Sequence, residues 1–308
     1  MNILITGASG FIGQHLLERI DCRNNTIFIL TRDPQKKRRV QNDLVSCIEG
    51  DLTNLESLVN ATKNIDCIIN IAAEVRDTSK LAVTNIQGVK NLVEASEINN
   101  VGKMIHISSV GVVGKQYNFN PELVDEATPE TPKNEYERTK LESEKILLNS
   151  FFQQNNKLVI LRPTNVYGEY HPFNAVLALA QFIQSRGFVI TTKTAQLNYV
   201  YVKDLCDVII EATKSPSITG IINVGHSTSF DKFTREIAAI LNKKIKVLYI
   251  PVFLIKILEQ LGIRKLRSLS NSVVYDGEKF LKIVSSTGKK NNGLTETIHF
   301  FQTNKMLK

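Results

Sequence analysis

Apolar residues fall in short unbroken runs along the first half of the chain: NILIT (2–6), TIFIL (26–30), LVSCIEGDL around a third run, DCIINIAA (66–73), VGKMIHISS (101–109) and KLVILRP (157–163). Runs of this length, rich in β-branched residues and bounded by turn formers, predict strands buried on both faces. Between most of them apolar positions return at helical spacing, as at Leu16, Leu17 and Ile20. Strand and helix in alternation predict a parallel sheet with helices on each side, an α/β doubly wound fold of Rossmann type. Residues 1–165 are expected to form this sheet domain, completed by a return at about 199–224, while 166–198 and 225–308 supply a smaller, interleaved C-terminal lobe. Neither repeats nor low-complexity linkers divide the chain.

The first strand runs directly into Gly7-Ala8-Ser9-Gly10-Phe11-Ile12-Gly13 and then a helix. Glycines at such a turn permit positive φ and close approach of a ligand, and the helix that follows offers unpaired N–H groups to a phosphate. In a sheet of this kind a dinucleotide lies across the carboxyl ends of the strands, with its diphosphate at this turn. The second strand ends ILTRDP, which places Arg32 where it neutralises the 2′-phosphate of NADP, with Lys36, Lys37, Arg38 and Arg39 close behind. The alternative gives Asp33 the ribose of NAD and leaves the basic run as solvated surface. Asp51, in Gly-Asp-Leu after the third strand, is placed either to accept from the adenine amino group or to cap a turn.

Tyr136 and Lys140 in NEYERTK are four apart in a stretch, 135–152, with helical periodicity, so both project from one helix face. A phenol titrates near pH 10, and an ammonium beside it, with an oxidised nicotinamide adding positive charge, is expected to favour the phenolate. Ser109, at the end of the fifth strand, is placed to orient a substrate carbonyl or alcohol against Tyr136.

Composition narrows the picture. The chain has 308 residues, 43% hydrophobic and 22% charged, enough for one large domain with an appended lobe. No run approaches the roughly 20 apolar residues that span a bilayer, and Met1 abuts a core strand, so no signal peptide is expected and the cytoplasm is the expected compartment. Cys22, Cys47, Cys67 and Cys206 lack any C-x-x-C spacing and read as structural thiols. The net charge of +8 is dispersed and carries no nucleic-acid motif. The five histidines show no metal spacing, so no metal is expected, and His106 reads as a packed core residue.

In order, TGASGFIG, GDL, NIAA, VTNIQGVKNL, ISSVGVVG, YERTK and LRPTNVYG resemble the extended short-chain dehydrogenase/reductase family, also called the NAD-dependent epimerase/dehydratase family. YVYVKDL (199–205), INVG (222–225) and LTETIHFF look like its later landmarks, so the resemblance covers essentially the whole chain. It implies that Ser109, Tyr136 and Lys140 form the catalytic set, and that Lys140 also holds the nicotinamide ribose. Gly7, Gly10, Phe11, Ile12 and Gly13 would cradle the diphosphate, Asp51 and Leu52 flank the adenine, and Ala72 and Ala73 line the cofactor channel. Asn85 would be structural, and the catalytic helix with the helix around 80–98 would pair two copies as a homodimer.

Asn165 in TNVYG looks like a substrate contact, its alternative being a loop-capping amide. VLYIPVFLIKILEQLG resembles the proline-led helix of bacterial enzymes that reduce or epimerise C4 of nucleotide-linked sugars for surface polysaccharides. The implied activity is NADP-dependent reduction of a C4 keto group on a nucleotide-linked deoxysugar. A 4-epimerase that retains NAD is the alternative, and a non-catalytic dinucleotide sensor or assembly factor is the reading from another class. The chain departs from the family at Leu197-Asn198-Tyr199, where many members have Arg-Asp-Phe, and so lacks an arginine to grip a diphosphate. From Pro251 to Arg267 apolar residues mix with Lys256, Arg264, Lys265 and Arg267, a pattern that also suits an anionic bilayer surface. Burial in the lobe is the expectation instead, since Pro251 suits a helix start and Glu259 breaks the basic face.

Overall fold

A computed structural model describes residues 1–33, 44–115, 122–171, 175–260 and 271–307. Its strands are β1 (Asn2–Thr6), β2 (Thr26–Thr31), β3 (Val45–Glu49), β4 (Cys67–Asn70), β5 (Lys103–Ile107), β6 (Glu122–Val124), β7 (Leu158–Pro163), β8 (Asn165–Tyr167), β9 (Phe188–Thr191), β10 (Gln196–Tyr201), β11 (Gly220–Val224), β12 (His226–Ser229), β13 (Lys246–Tyr249) and β14 (Val273–Tyr275). Its helices are α1 (Phe11–Arg19), α2 (Leu55–Ala61), α3 (Gly88–Ile98), α4 (Glu135–Leu148), α5 (Phe151–Gln154), α6 (Ala175–Arg186), α7 (Val202–Lys214), α8 (Phe230–Ile240), α9 (Val252–Gln260), α10 (Glu278–Ser286) and α11 (Gly293–Thr303).

The apolar runs assemble into one parallel seven-stranded sheet, ordered β11-β7-β5-β4-β1-β2-β3. Successive side chains alternate between its faces. Ile3 and Ile5 enter the core beneath α1 and α7, whereas Leu4 enters the core with Leu58, Leu92 and Leu147 of α2, α3 and α4. Both faces are therefore dry, as the unbroken hydrophobic runs require. The strand order reverses between β1 and β4, which opens a crevice at their carboxyl ends, next to the glycine turn.

Elsewhere the chain departs from the sequence expectations. Of the stretch expected to complete the sheet, only Gly220–Val224 does so; Gln196–Tyr201 joins β8 and β12 in a separate three-stranded sheet, and Val202–Lys214 is helix. The helix expected over 135–152 ends at Leu148, because Asn149 Nδ2 turns back to the Lys145 carbonyl and Ser150 Oγ to that of Leu147. The helix expected around 80–98 opens as a wide π-helical turn, Ala82–Gln87. Burial of α9 is the expectation that fails most clearly. Ile255 is buried, but Phe253, Leu254 and Ile257 are 60%, 41% and 47% exposed. Arg264, Lys265 and Arg267 lie outside the described residues. No helix among the described residues is long and apolar enough to cross a membrane.

Candidate active site

The glycine turn is shaped by contacts that leave no room for side chains. Gly7 has φ +71°, and a Cβ there would stand 2.6 Å from the Ala72 nitrogen. At Gly13 a Cβ would run into the Gly7 carbonyl oxygen and come within 2.6 Å of Ala8 Cα. Gly10 N–H donates to the Gly7 carbonyl at 3.0 Å, closing the turn. As the residue before α1, Gly10 has no side chain to cap the helix, so the first N–H groups of α1 face outward as an anion site. The Phe11 ring packs edge-on against His15 and His171, and Ile12 packs on the core, so these two have only backbone to offer a ligand. The turn fits a diphosphate.

Around it the other expected cofactor residues are spread along the strand ends. Ala72 N–H donates to Thr6 Oγ1, fastening the loop after β4 to the end of β1, with Ala73 half-buried beside it. Arg32 is exposed at the end of β2; Asp33 is half-buried, and its N–H donates to Thr31 Oγ1. Lys36, Lys37, Arg38 and Arg39 lie outside the described residues. Asp51 Oδ1 accepts from Thr53 N–H at 2.8 Å and Thr53 Oγ1 at 2.9 Å, a turn-capping role. Leu52 is buried, and its carbonyl accepts from Asn91 Nδ2.

Ser109 follows β5, half-buried, with its Oγ accepting from Gly111 N–H at 3.0 Å. It shares a cavity of about 110 Å³ with Thr164, Asn165, Asn198, Asn271 and Tyr275, so the two expected substrate residues, Ser109 and Asn165, line one space. Asn165 Nδ2 also donates to the Asn198 carbonyl, the capping alternative at the same residue. A larger cavity, about 190 Å³, lies in the lobe among Thr192, Ser229, Asp231 and Tyr249 and contains none of the expected residues.

Lys140 is wholly buried; its Nζ donates to the Ile107 carbonyl at 2.6 Å and lies 3.2 Å from His106 Nε2. Two of the three ammonium protons are thereby placed, which leaves one for a ribose hydroxyl. Burial draws Lys140 down to about 8, against the opposing charge of Glu144. The expected phenolate is absent from this state. Burial, with the Glu137 carboxylate, pushes the Tyr136 phenol up to about 12, because the lysine faces β5 and its charge is no longer spread toward the phenol.

Sequence reasoning passed over two sets of residues. His106 is buried as expected, yet both its nitrogens are engaged, by Asn70 and by Lys140. The signal was a polar residue near the end of each of three apolar strands, Thr6, Asn70 and His106. Beneath α4, Arg162 reaches Glu144 through Nε at 3.1 Å and Nη2 at 2.6 Å, and Ser108 Oγ donates to the same carboxylate. Asn85 takes the structural role expected of it in the described geometry: it bonds both backbone groups of Glu74 and Thr139 Oγ1 on α4. Among the described residues no group of three or more His, Cys, Asp or Glu side chains is arranged to hold a metal ion.

A parallel sheet with a glycine-lined diphosphate turn, and a Tyr–Lys pair at the crevice beside it, defines the class of dinucleotide-dependent short-chain dehydrogenases/reductases of the extended type. The chain belongs to the NAD dependent epimerase/dehydratase family, whose profile matches residues 3–225, and it is an enzyme. It is 28% identical over 265 residues, 81% of this chain and 75% of the relative, to N-acetyl-alpha-D-glucosaminyl-diphospho-ditrans,octacis-undecaprenol 4-epimerase from Escherichia coli O157:H7. Among solved structures it superposes on the Bordetella bronchiseptica enzyme WbmG in complex with NAD, with TM-score 0.76, 19% identity and coverage of 100% and 96% of the two chains. UDP-glucuronic acid 4-epimerase from Bacillus cereus in complex with NAD superposes with TM-score 0.73, 22% identity and 99% coverage of each.

Proposed function

We propose that the protein reduces the C4 keto group of a nucleotide-linked deoxysugar, drawing on NADPH. The observation that carries this reading is the state of Tyr136: a phenol held protonated at neutral pH is ready to give a proton to a carbonyl oxygen as it becomes an alcohol. The residues that would hold the dinucleotide are Gly7, Gly10 and Gly13 with the backbone of Phe11 and Ile12 at the diphosphate, Arg32 at a 2′-phosphate, and Lys140 at the ribose. When bound, the nicotinamide supplies the hydride. Ser109 Oγ orients the carbonyl, and Tyr136 gives the proton. The cavity beside Ser109 is lined by amides, hydroxyls and a proline, with no carboxylate among its lining residues, which suits a polyhydroxylated sugar. It also argues against elimination of water, which needs a second acid or base at the carbon skeleton.

A second reading, a 4-epimerase that keeps NAD, draws support from the relatives named as 4-epimerases. The two diverge in a direct experiment. The protein is purified, its bound nucleotide is extracted and identified, and 4-keto and 4-hydroxy UDP-, dTDP- and GDP-sugars are tested with NAD(H) and NADP(H). Stoichiometric consumption of NADPH with a 4-keto sugar is the expected result. Tightly bound NAD, with interconversion of 4-epimers and no net redox change, overturns the reductase in favour of the epimerase. Association of two copies through α4 and Ala82–Ile98 belongs to this proposal, and sedimentation velocity tests it.

A further inference from the structure

Three buried polar residues outside the expected catalytic set lie in a file that ends at Lys140. Strand register puts Thr6 of β1 beside Asn70 of β4, and Asn70 beside His106 of β5. Thr6 Oγ1 accepts the Ala72 N–H at 3.2 Å and lies 2.6 Å from Asn70 Oδ1. Asn70 Nδ2 is 3.0 Å from His106 Nδ1, and His106 Nε2 is 3.2 Å from Lys140 Nζ. All four side chains are shielded from water.

The direction of each bond follows from the chemistry of its ends. A hydroxyl facing an amide oxygen must donate, so Asn70 commits its oxygen to Thr6 and turns its N–H toward His106. Nδ1 then accepts. A neutral imidazole carries one proton, which this leaves on Nε2, aimed at Lys140. An ammonium has no lone pair to receive it, whereas an amine has one.

We propose that His106 is a positioning residue whose tautomer is set by Thr6 and Asn70 and which holds Lys140 as a neutral amine in the ligand-free enzyme. The functional meaning rests on Lys140 belonging to the catalytic set; the proton arrangement does not. Lys140 faces His106 on β5 and, on its own helix, Tyr136 and Glu144, the latter held by Arg162 of β7. Burial favours the amine and Glu144 opposes it. If Lys140 takes one proton from water, Nε2 must accept, the ring proton must sit on Nδ1, and Asn70 must turn its oxygen toward the ring. Thr6 then receives from Asn70 and loses the acceptor of its own proton. The hydroxyl at the foot of the diphosphate turn and the proton on Lys140 therefore change together.

Ring nitrogen NMR of the whole, ligand-free protein at neutral pH tests this without substrate or cofactor. The expected His106 signal has its proton on Nε2 and a bare Nδ1; a proton on Nδ1 overturns the proposal. In Thr6→Val, which keeps shape and removes the hydroxyl, the ring proton is expected to move toward Nδ1. The affinity of Lys140 for a proton, read by NMR of its ε-group against pH, is expected to rise about tenfold or more, one pKa unit. Thr6→Ser is expected to restore the wild-type pattern. Unchanged ring and lysine signals in Thr6→Val also overturn the proposal, while loss of turnover in Tyr136→Phe bears only on the catalytic reading.

Discussion

At the scale of single residues, the first turn and the phenol make separable predictions. Gly13→Ala forces a methyl group into the Gly7 carbonyl and Ala8, so either the turn opens or α1 shifts. Its expected effect is loss of measurable dinucleotide binding by calorimetry, with stability lowered by about 1–3 kcal/mol, the usual range for overpacking. Tyr136→Phe removes only an oxygen. It is expected to lower kcat by about 10²–10⁴-fold, the range of a general acid, while dinucleotide affinity stays within about twofold. A variant with unchanged kcat assigns the proton to another group. The positions of Gly7, Gly13, Tyr136 and Lys140 were legible from spacing alone. Their protonation was not, because it depends on strands brought beside Lys140 from more than thirty residues away in the chain.

At the scale of elements, α4 is positioned by a buried ion pair. Arg162 of β7 holds Glu144 bidentately and also reaches Glu130, which fixes the rotation of the helix that presents Tyr136 and Lys140. Arg162→Met leaves the Glu144 carboxylate buried without its partner. Urea unfolding is expected to show a loss of about 3–5 kcal/mol, and Arg162→Lys is expected to recover only part of it, since one ammonium cannot replace a planar fork. Equal stability of Arg162→Met and wild type refutes this account of how α4 is fixed. Elements with a simple period were readable: the strands of the large sheet follow their apolar runs to within a residue or two. The lobe was less so. Strands of three to six residues such as β8, β10 and β14 carry too few positions for a period, and their partners come from distant segments. Helix α9 has the apolar content of a core helix, yet only tertiary packing decides how much of it is covered.

At the scale of the molecule, one carboxylate joins the first helix to the end of the chain. Asp207 of α7 is bonded by Arg19 of α1, and by Lys289 and Asn291 just before α11. Burial alone raises its pKa, but the bonds from Arg19, Lys289 and Asn291 outweigh this and leave it below the ordinary value. A carboxyl depressed in the fold contributes stability above its unfolded value, near 3.9, and loses that contribution as pH falls through the folded value. Asp207→Asn is therefore expected to be less stable than wild type at pH 7 by about 1–3 kcal/mol. The gap should close as pH falls from about 5 towards 2, followed by thermal unfolding across pH. A gap that does not depend on pH removes the charge from the explanation.

The placement of β1 has a consequence for how the protein is made. This strand leaves the ribosome first, yet it sits in the interior of the sheet with β2 on one side and β4 on the other. Its second neighbour is not synthesised until residue 67. Throughout that interval a ribbon of unpaired, fully apolar backbone is exposed to every other nascent chain in the cell, so the pace of translation between β2 and β4 bears directly on yield.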